Sequence, residues 1–174
     1  LEEIILDLKN KGLKIVIDGA HGAHFGFNDK LPKSVTTLGD YVVLSAHKTL
    51  PALTQGGFLL VNNEEDNIEF YIRAFMTTSP SYLIMASLDY SRYYLEKYGK
   101  DDYEDLIARA TKYREKINKL GKVYILGKED MACGYDIDIT RYVMVLSKKY
   151  SGHKLLRYLR DSGIQGEMST PNTV

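Results

Sequence analysis

Asp18, His21 and His24 lie in one short run, Ile17-Asp18-Gly19-Ala20-His21-Gly22-Ala23-His24-Phe25. Ser45, His47 and Lys48 lie in another, Ser45-Ala46-His47-Lys48-Thr49. Together they offer a carboxylate, an amine, imidazoles and a hydroxyl. An aspartate with a lysine alone has a plain reading, a salt bridge, because ion pairs are common and catalytic pairs rare. The flanking hydroxyl and imidazoles change that balance. Pyridoxal phosphate (PLP) needs such a set: a lysine amine for an imine, a carboxylate to keep the pyridine nitrogen protonated, and hydroxyl or N–H donors for the phosphate. Gly19 and Gly22 flank Ala20-His21 and are expected to leave the backbone open to a flat ligand.

These residues need elements that bring them to one place. Leu13-Lys14-Ile15-Val16-Ile17-Asp18 reads as a buried strand ending in a carboxylate, and Tyr41-Val42-Val43-Leu44-Ser45 as a second one ending just before Lys48. The intervening residues, Gly19 to Gly39, are rich in glycine and read as loop, long enough for a crossover between parallel strands. In open α/β sheets, ligands bind beyond the carboxyl ends of the strands. Asp18 and Lys48 are therefore expected on one edge of the sheet, at the ends of neighbouring parallel strands. A third strand is expected at Phe58-Leu59-Leu60-Val61.

Helices are expected at Leu1 to Lys11, with Gly12 as a stop, and at Glu64 to Phe75. Ser79-Pro80 reads as an N-cap and first helical proline, opening a helix with Ala86, Tyr90, Tyr93 and Tyr94 on one face. A separate helix is expected from Asp101 to Leu120. Asp101 and Glu104 would form its capping box, and Tyr103, Leu106, Ile107, Ala110, Ile117 and Leu120 its apolar stripe. After Gly121 come strands at Val123-Tyr124-Ile125-Leu126 and Tyr142-Val143-Met144-Val145-Leu146, then a helix from His153 to Ser162. This order implies an α/β domain over residues 1–120, mostly parallel in its sheet, and the start of a small α+β domain over 121–174.

Two blocks, Ile17 to Phe25 and Ser45-Ala46-His47-Lys48-Thr49-Leu50-Pro51-Ala52-Leu53-Thr54-Gln55-Gly56, resemble the major domain of the Orn/Lys/Arg decarboxylases. A third, Thr77-Thr78-Ser79-Pro80-Ser81-Tyr82, resembles a loop of the same family. Three blocks in order are a specific signal, where a lone S-x-H-K would be weak. The resemblance covers most of the chain and is thinnest after Gly121. It implies a PLP enzyme of fold type I, the aspartate-aminotransferase-like fold, that releases CO2 from lysine, ornithine or arginine. Lys48 would carry the cofactor and Asp18 would pair with the pyridine nitrogen. Ala20 would pack on the ring, His21 would lie close to it, and Ser45 would contact the phosphate. His47 would sit beside the phosphate or the imine, and either His47 or Lys48 would return a proton after CO2 leaves. The loop from Thr77 to Ser81 would reach a neighbouring subunit's phosphate. Gly19 stands where the family usually has glutamate. The family's glycine-rich phosphate loop and ring-stacking side chain are expected before the aspartate strand, so the chain reads as a piece lacking the N-terminal part. Fold and cofactor do not fix the reaction. A transaminase, aldolase or lyase on the same scaffold, or a non-catalytic assembly subunit, is the alternative.

The bulk composition agrees with this reading. The 174 residues carry 23 basic and 23 acidic side chains, so neither nucleic acid nor an acidic membrane surface is an expected partner. No apolar run approaches the roughly 20 residues that span a bilayer. Cys133 has no second thiol and no ligand spacing around it, which excludes an internal disulfide, suggests no metal and fits a reducing, cytoplasmic setting. A homodimer or larger homo-oligomer acting on a small amino acid, in polyamine synthesis, is what the family resemblance implies.

Overall fold

The computed structural model describes residues 2–63, 67–76 and 78–174. The expected starts of two helices, at Leu1 and Glu64, and the Thr77 end of the third block lie outside the described residues. The chain forms two compact units, Leu1–Asp101 and Asp102–Val174.

The first unit opens with helix α1 (Glu2–Asn10), closed by Gly12 at φ +76°. Strand β1 (Val16–Asp18) pairs in parallel with β2 (Tyr41–Leu44), with Asp18 opposite Val43. Strand β3 (Phe58–Val61) lies on the other side of β2 and is antiparallel to it. The sheet is therefore mixed, not mostly parallel. The connection from β2 to β3 contains only the one-turn helix α2 (Ala46–Thr49), too short to run back along the sheet as the crossover helix that a parallel return usually has. Ala23, Val42 and Leu44 are buried, and Ile17, Val35, Leu50, Phe58 and Leu60 pack around them. Among the described residues β1 has no strand on its far side, and Val16 is 68% exposed.

β1 is shorter than its apolar run because Ile15 is committed to Asp40. The Ile15 N–H donates to the Asp40 carboxylate at 2.7 Å, and its carbonyl accepts from Asp40 N at 2.8 Å. The Ile15 hydrogen bond, helped by Lys9 at 3.8 Å and by Asn63, holds the Asp40 carboxyl below its ordinary 3.8 despite desolvation. A carboxyl with a lowered folded pKa contributes stability that is present above the unfolded value and is lost as pH falls through the folded one. Asp40→Asn in the intact protein should cost about 1 kcal/mol at neutral pH and flatten the acid side of the stability curve below about pH 4. Urea midpoints measured across pH check this, and parallel curves for the two proteins would exclude the role.

Helix α3 (Ile68–Phe75) is capped by Asn67, whose side chain accepts from Phe70 N. Helix α4 runs unbroken from Tyr82 to Asn118. Two features therefore differ from the sequence reading. The helix begins after Ser81, whose hydroxyl accepts from Ile84 N at 3.4 Å, so Ser79-Pro80 precedes the cap. It also continues through Gly99-Lys100-Asp101, where a second start was expected. A Cβ at Gly99 would lie 3.4 Å from the Phe27 ring and 3.3 Å from Leu95, so the glycine serves close packing against the loop after β1. The buried face in this unit is Ser91, Leu95 and Gly99, while Tyr90 and Tyr93 are exposed. The tyrosine-rich face is one helical step out of phase with the contacts made.

In the second unit Tyr103, Ile107 and Ala110 of the expected stripe are buried, and Leu106 and Leu120 are exposed. Burial, with the Asp138 and Asp102 carboxylates adding to it, pushes the Tyr103 hydroxyl up to about 12. Strands β4 (Val123–Ile125) and β5 (Met144–Leu146) pair antiparallel, and the chain end bonds to β5 through Met144 N to Val174 O and Val174 N to Met144 O. Helix α5 (Gly152–Asp161) follows and ends before Gly163 at φ +81°. The units divide at Asp101–Asp102, within α4, while the change of architecture marked by Gly121 falls at the start of the β4–β5 sheet. No helix among the described residues is long and apolar enough to cross a membrane.

Candidate active site at the ends of β1 and β2

The parallel register of β1 and β2 brings their carboxyl ends to the same edge of the sheet. Asp18 is the last residue of β1. Its Oδ1 accepts from Ala20 N at 3.0 Å, an Asx-type turn that fixes the carboxylate and reverses the chain. The ladder runs one step further, through Gly19 N to Val43 O at 2.8 Å. Across the edge, β2 passes directly into α2. Ser45 stands at its N-cap position, but its side chain makes no cap bond. Its hydroxyl is not committed to the helix.

His47 and Lys48 ride on this one turn of helix. His47 is held twice by one carbonyl: its backbone N–H donates to Gly56 O at 3.1 Å, and Nδ1 lies 2.8 Å from the same oxygen. A carbonyl only accepts, so Nδ1 carries the proton and Nε2 is the nitrogen left for exchange. Lys48 Nζ lies 3.5 Å from His21 Nε2. That distance draws the amine of the second block to the loop of the first. Lys48, His21 and Asp18 are exposed, and Ser45, His47 and Ala20 are half-buried.

The glycines of the first block play a different part from the one expected. A Cβ on Gly19 would fall 2.9 Å from Leu44 Cδ2 and 3.2 Å from Val35 Cγ2. On Gly22 it would fall 3.0 Å from the Phe25 ring. These open faces are filled by the protein's own side chains, so the glycines let the loop pack on the core. A side chain at position 19 would require Leu44 and Val35 to shift. His24 is 2% exposed, with its ring 4.6 Å from that of Phe25, which places it in the core of the loop.

Three supports of the site were not recognised in the sequence. Gly56 supplies the carbonyl that orients His47. Gln55, just before it, has φ +71°, a backbone conformation that side-chain-bearing residues rarely adopt. Ser87 on α4 accepts from Leu53 N at 3.2 Å and so ties this turn to the helix. The glycine pair Gly56-Gly57 was the one signal of a tight turn here; nothing in the spacing marks Gln55 or Ser87. Gln55→Gly should be neutral or slightly stabilising, while Gln55→Val should cost about 1–2 kcal/mol. Thermal unfolding of the two variants checks this; valine tolerated as well as glycine would show that the turn relaxes.

Known proteins resemble this chain in fold and in sequence. The chain is similar to a chain in the crystal structure of a SepCysS–SepCysE N-terminal domain complex. The TM-score is 0.58 at 14% identity, over 99% of this chain and 48% of that one, a likeness of fold. In sequence it is 31% identical to the Bacillus subtilis protein YaaO, over 100% of this chain and 37% of that protein. It is 32% identical to an arginine decarboxylase of Bacillus subtilis, over 89% of this chain and 33% of the relative. It is 33% identical to an arginine decarboxylase of Bacillus anthracis, over 97% and 36%. The chain thus spans about a third of the length of these relatives. The sequence model of the Orn/Lys/Arg decarboxylase major domain matches residues 1–134, and the chain belongs to that family.

Proposed function

We propose that the protein to which this chain belongs is a PLP-dependent decarboxylase of a basic amino acid, with arginine the first substrate to test and lysine and ornithine next. The observation that carries this reading is the meeting of two blocks at one sheet edge: Asp18 closing β1, and Lys48 on the turn after its parallel neighbour β2, 3.5 Å from His21. The donor set fits the cofactor. It holds an accessible amine, a carboxylate fixed by a backbone N–H, and a serine hydroxyl free of helix capping. Bound there, PLP supplies an electron sink for the pair released from the bond between Cα and the carboxylate. Lys48 binds the cofactor covalently. Asp18 keeps a proton on the pyridine nitrogen, and Ser45 donates to the phosphate. Ala20 and His21 line the ring. His47, its Nδ1–H anchored on Gly56, holds or moves a proton at Nε2. The reading implies a cytoplasmic homo-oligomer that feeds polyamine synthesis.

The test is CO2 release from arginine, lysine and ornithine by the full-length protein with PLP, with the products identified. The corresponding amine and one CO2 per turnover are expected. A keto acid without CO2 would replace the reading with transamination. Cofactor binding without turnover of any of the three substrates would favour a non-catalytic homologue.

A further inference from the structure

The second unit contains a cavity of about 640 Å3 between the start of β4, the end of β5 and the first turns of α5. That is the size of a small-molecule pocket. Its wall carries four lysines, Lys122, Lys148, Lys149 and Lys154, and no acidic residue. Some lysines elsewhere in this charge-balanced chain meet carboxylates, Lys9 with Asp40, Lys11 with Asp7, Lys33 with Glu2 and Lys128 with Asp136, while others such as Lys97 and Lys112 form no ion pair among the described residues. Among the described residues none of the four cavity lysines forms an ion pair.

The rest of the wall suits the same kind of ligand. Val123, Leu146 and Leu155 give it an apolar part, and such low-dielectric walls focus the field of the lysines on a bound charge. Ser151, at the N-cap position of α5, makes no side-chain cap bond, so its hydroxyl is a spare donor. Tyr150 and Tyr158 add phenol hydroxyls at the rim and are 54% and 69% exposed. The first N–H of α5, on Gly152, is already taken by Pro171 O at 2.9 Å, so the lysines and not the helix end supply the charge.

We propose that this cavity binds a small anion of the di- or triphosphate class. Four positive charges around one concave space repel one another, and a ligand with several negative charges relieves that repulsion where a monoanion relieves little of it. Lysine ammonium groups on flexible stems suit phosphoryl oxygens as point charges. The site lies outside the Asp18–Lys48 constellation and does not depend on the decarboxylase reading.

The experiment is calorimetric titration of the full-length protein, saturated with PLP, with orthophosphate, pyrophosphate and tripolyphosphate at low and at 0.5 M salt (roughly, the range over which screening becomes strong). Affinity should rise along that series and fall at high salt. Lys148→Ala with Lys154→Ala should weaken tripolyphosphate binding at least about tenfold, since two close charges are removed. Lys149→Gln alone should weaken it several-fold, and Lys33→Ala, at a side chain 95% exposed in the first unit, should leave it unchanged. Circular dichroism checks folding, and the single variant carries the test if the double one unfolds. Absence of binding at millimolar tripolyphosphate would overturn the proposal, as would equal binding by the lysine variants or displacement of PLP by the anion. Tighter binding of a short RNA that blocks tripolyphosphate would assign the face to nucleic acid instead.

Discussion

Lys48→Ala should leave the full-length protein folded but unable to hold PLP covalently, with CO2 release lowered by at least on the order of 10³. Lys48 is an exposed residue on one turn of helix, and its amine lies 3.5 Å from His21, so its removal opens no cavity in the core. The loss is therefore chemical. No other amine sits with Asp18 and Ser45 at this edge in either block, and imine formation requires one. Lys48→Arg sharpens the test, because it keeps the positive charge near His21 but makes no stable imine. Both variants should lose the visible absorbance of the lysine-bound cofactor and release it on gel filtration. A band that survives in Lys48→Ala would remove this residue from its role.

Asp18→Asn should behave differently: cofactor attached, turnover lowered by on the order of 10²–10³. Asparagine retains an oxygen for the Ala20 N–H, so the turn after β1 keeps its shape and the change isolates the charge. An opposite charge held close shifts a pKa by about 1–3 units, or about 1.4–4 kcal/mol, here in favour of a protonated pyridine nitrogen. That stabilisation matters most when electrons flow into the ring, so kcat should fall more than cofactor affinity. Parallel measurement of kcat and of the PLP dissociation constant separates the two effects. A kcat within threefold of wild type would show that the carboxylate only shapes the turn.

The parts of this architecture that were legible in the sequence are those written in local patterns. Phe58–Val61 is a strand over the residues its apolar run marks, and β1, which ends in Asp18, lies parallel beside β2, after which Lys48 follows on α2, as their separation suggested. What was not legible depends on contacts remote in sequence. Gly99 and the Asp101 and Glu104 pair look like a helix boundary, yet packing of Phe27 against Gly99 accompanies a helix that runs through. The direction of β3 goes with a connection whose only helix is a single turn, which hydrophobic periodicity does not report. At the site, chemistry-bearing side chains announce themselves by type, whereas Gly56 acts through a carbonyl and Gln55 through a backbone angle. Neither leaves a signature in spacing.

The free side of β1 has a consequence for anyone handling this chain in isolation. A strand with an open row of N–H and C=O groups and an exposed Val16 is a template for another extended segment. Preparations of residues 1–174 alone will tend to self-associate as concentration rises. A lysine in place of Val16 would put a charged gatekeeper on the edge and keep such preparations in solution, because the valine side chain contributes little to the core it would leave.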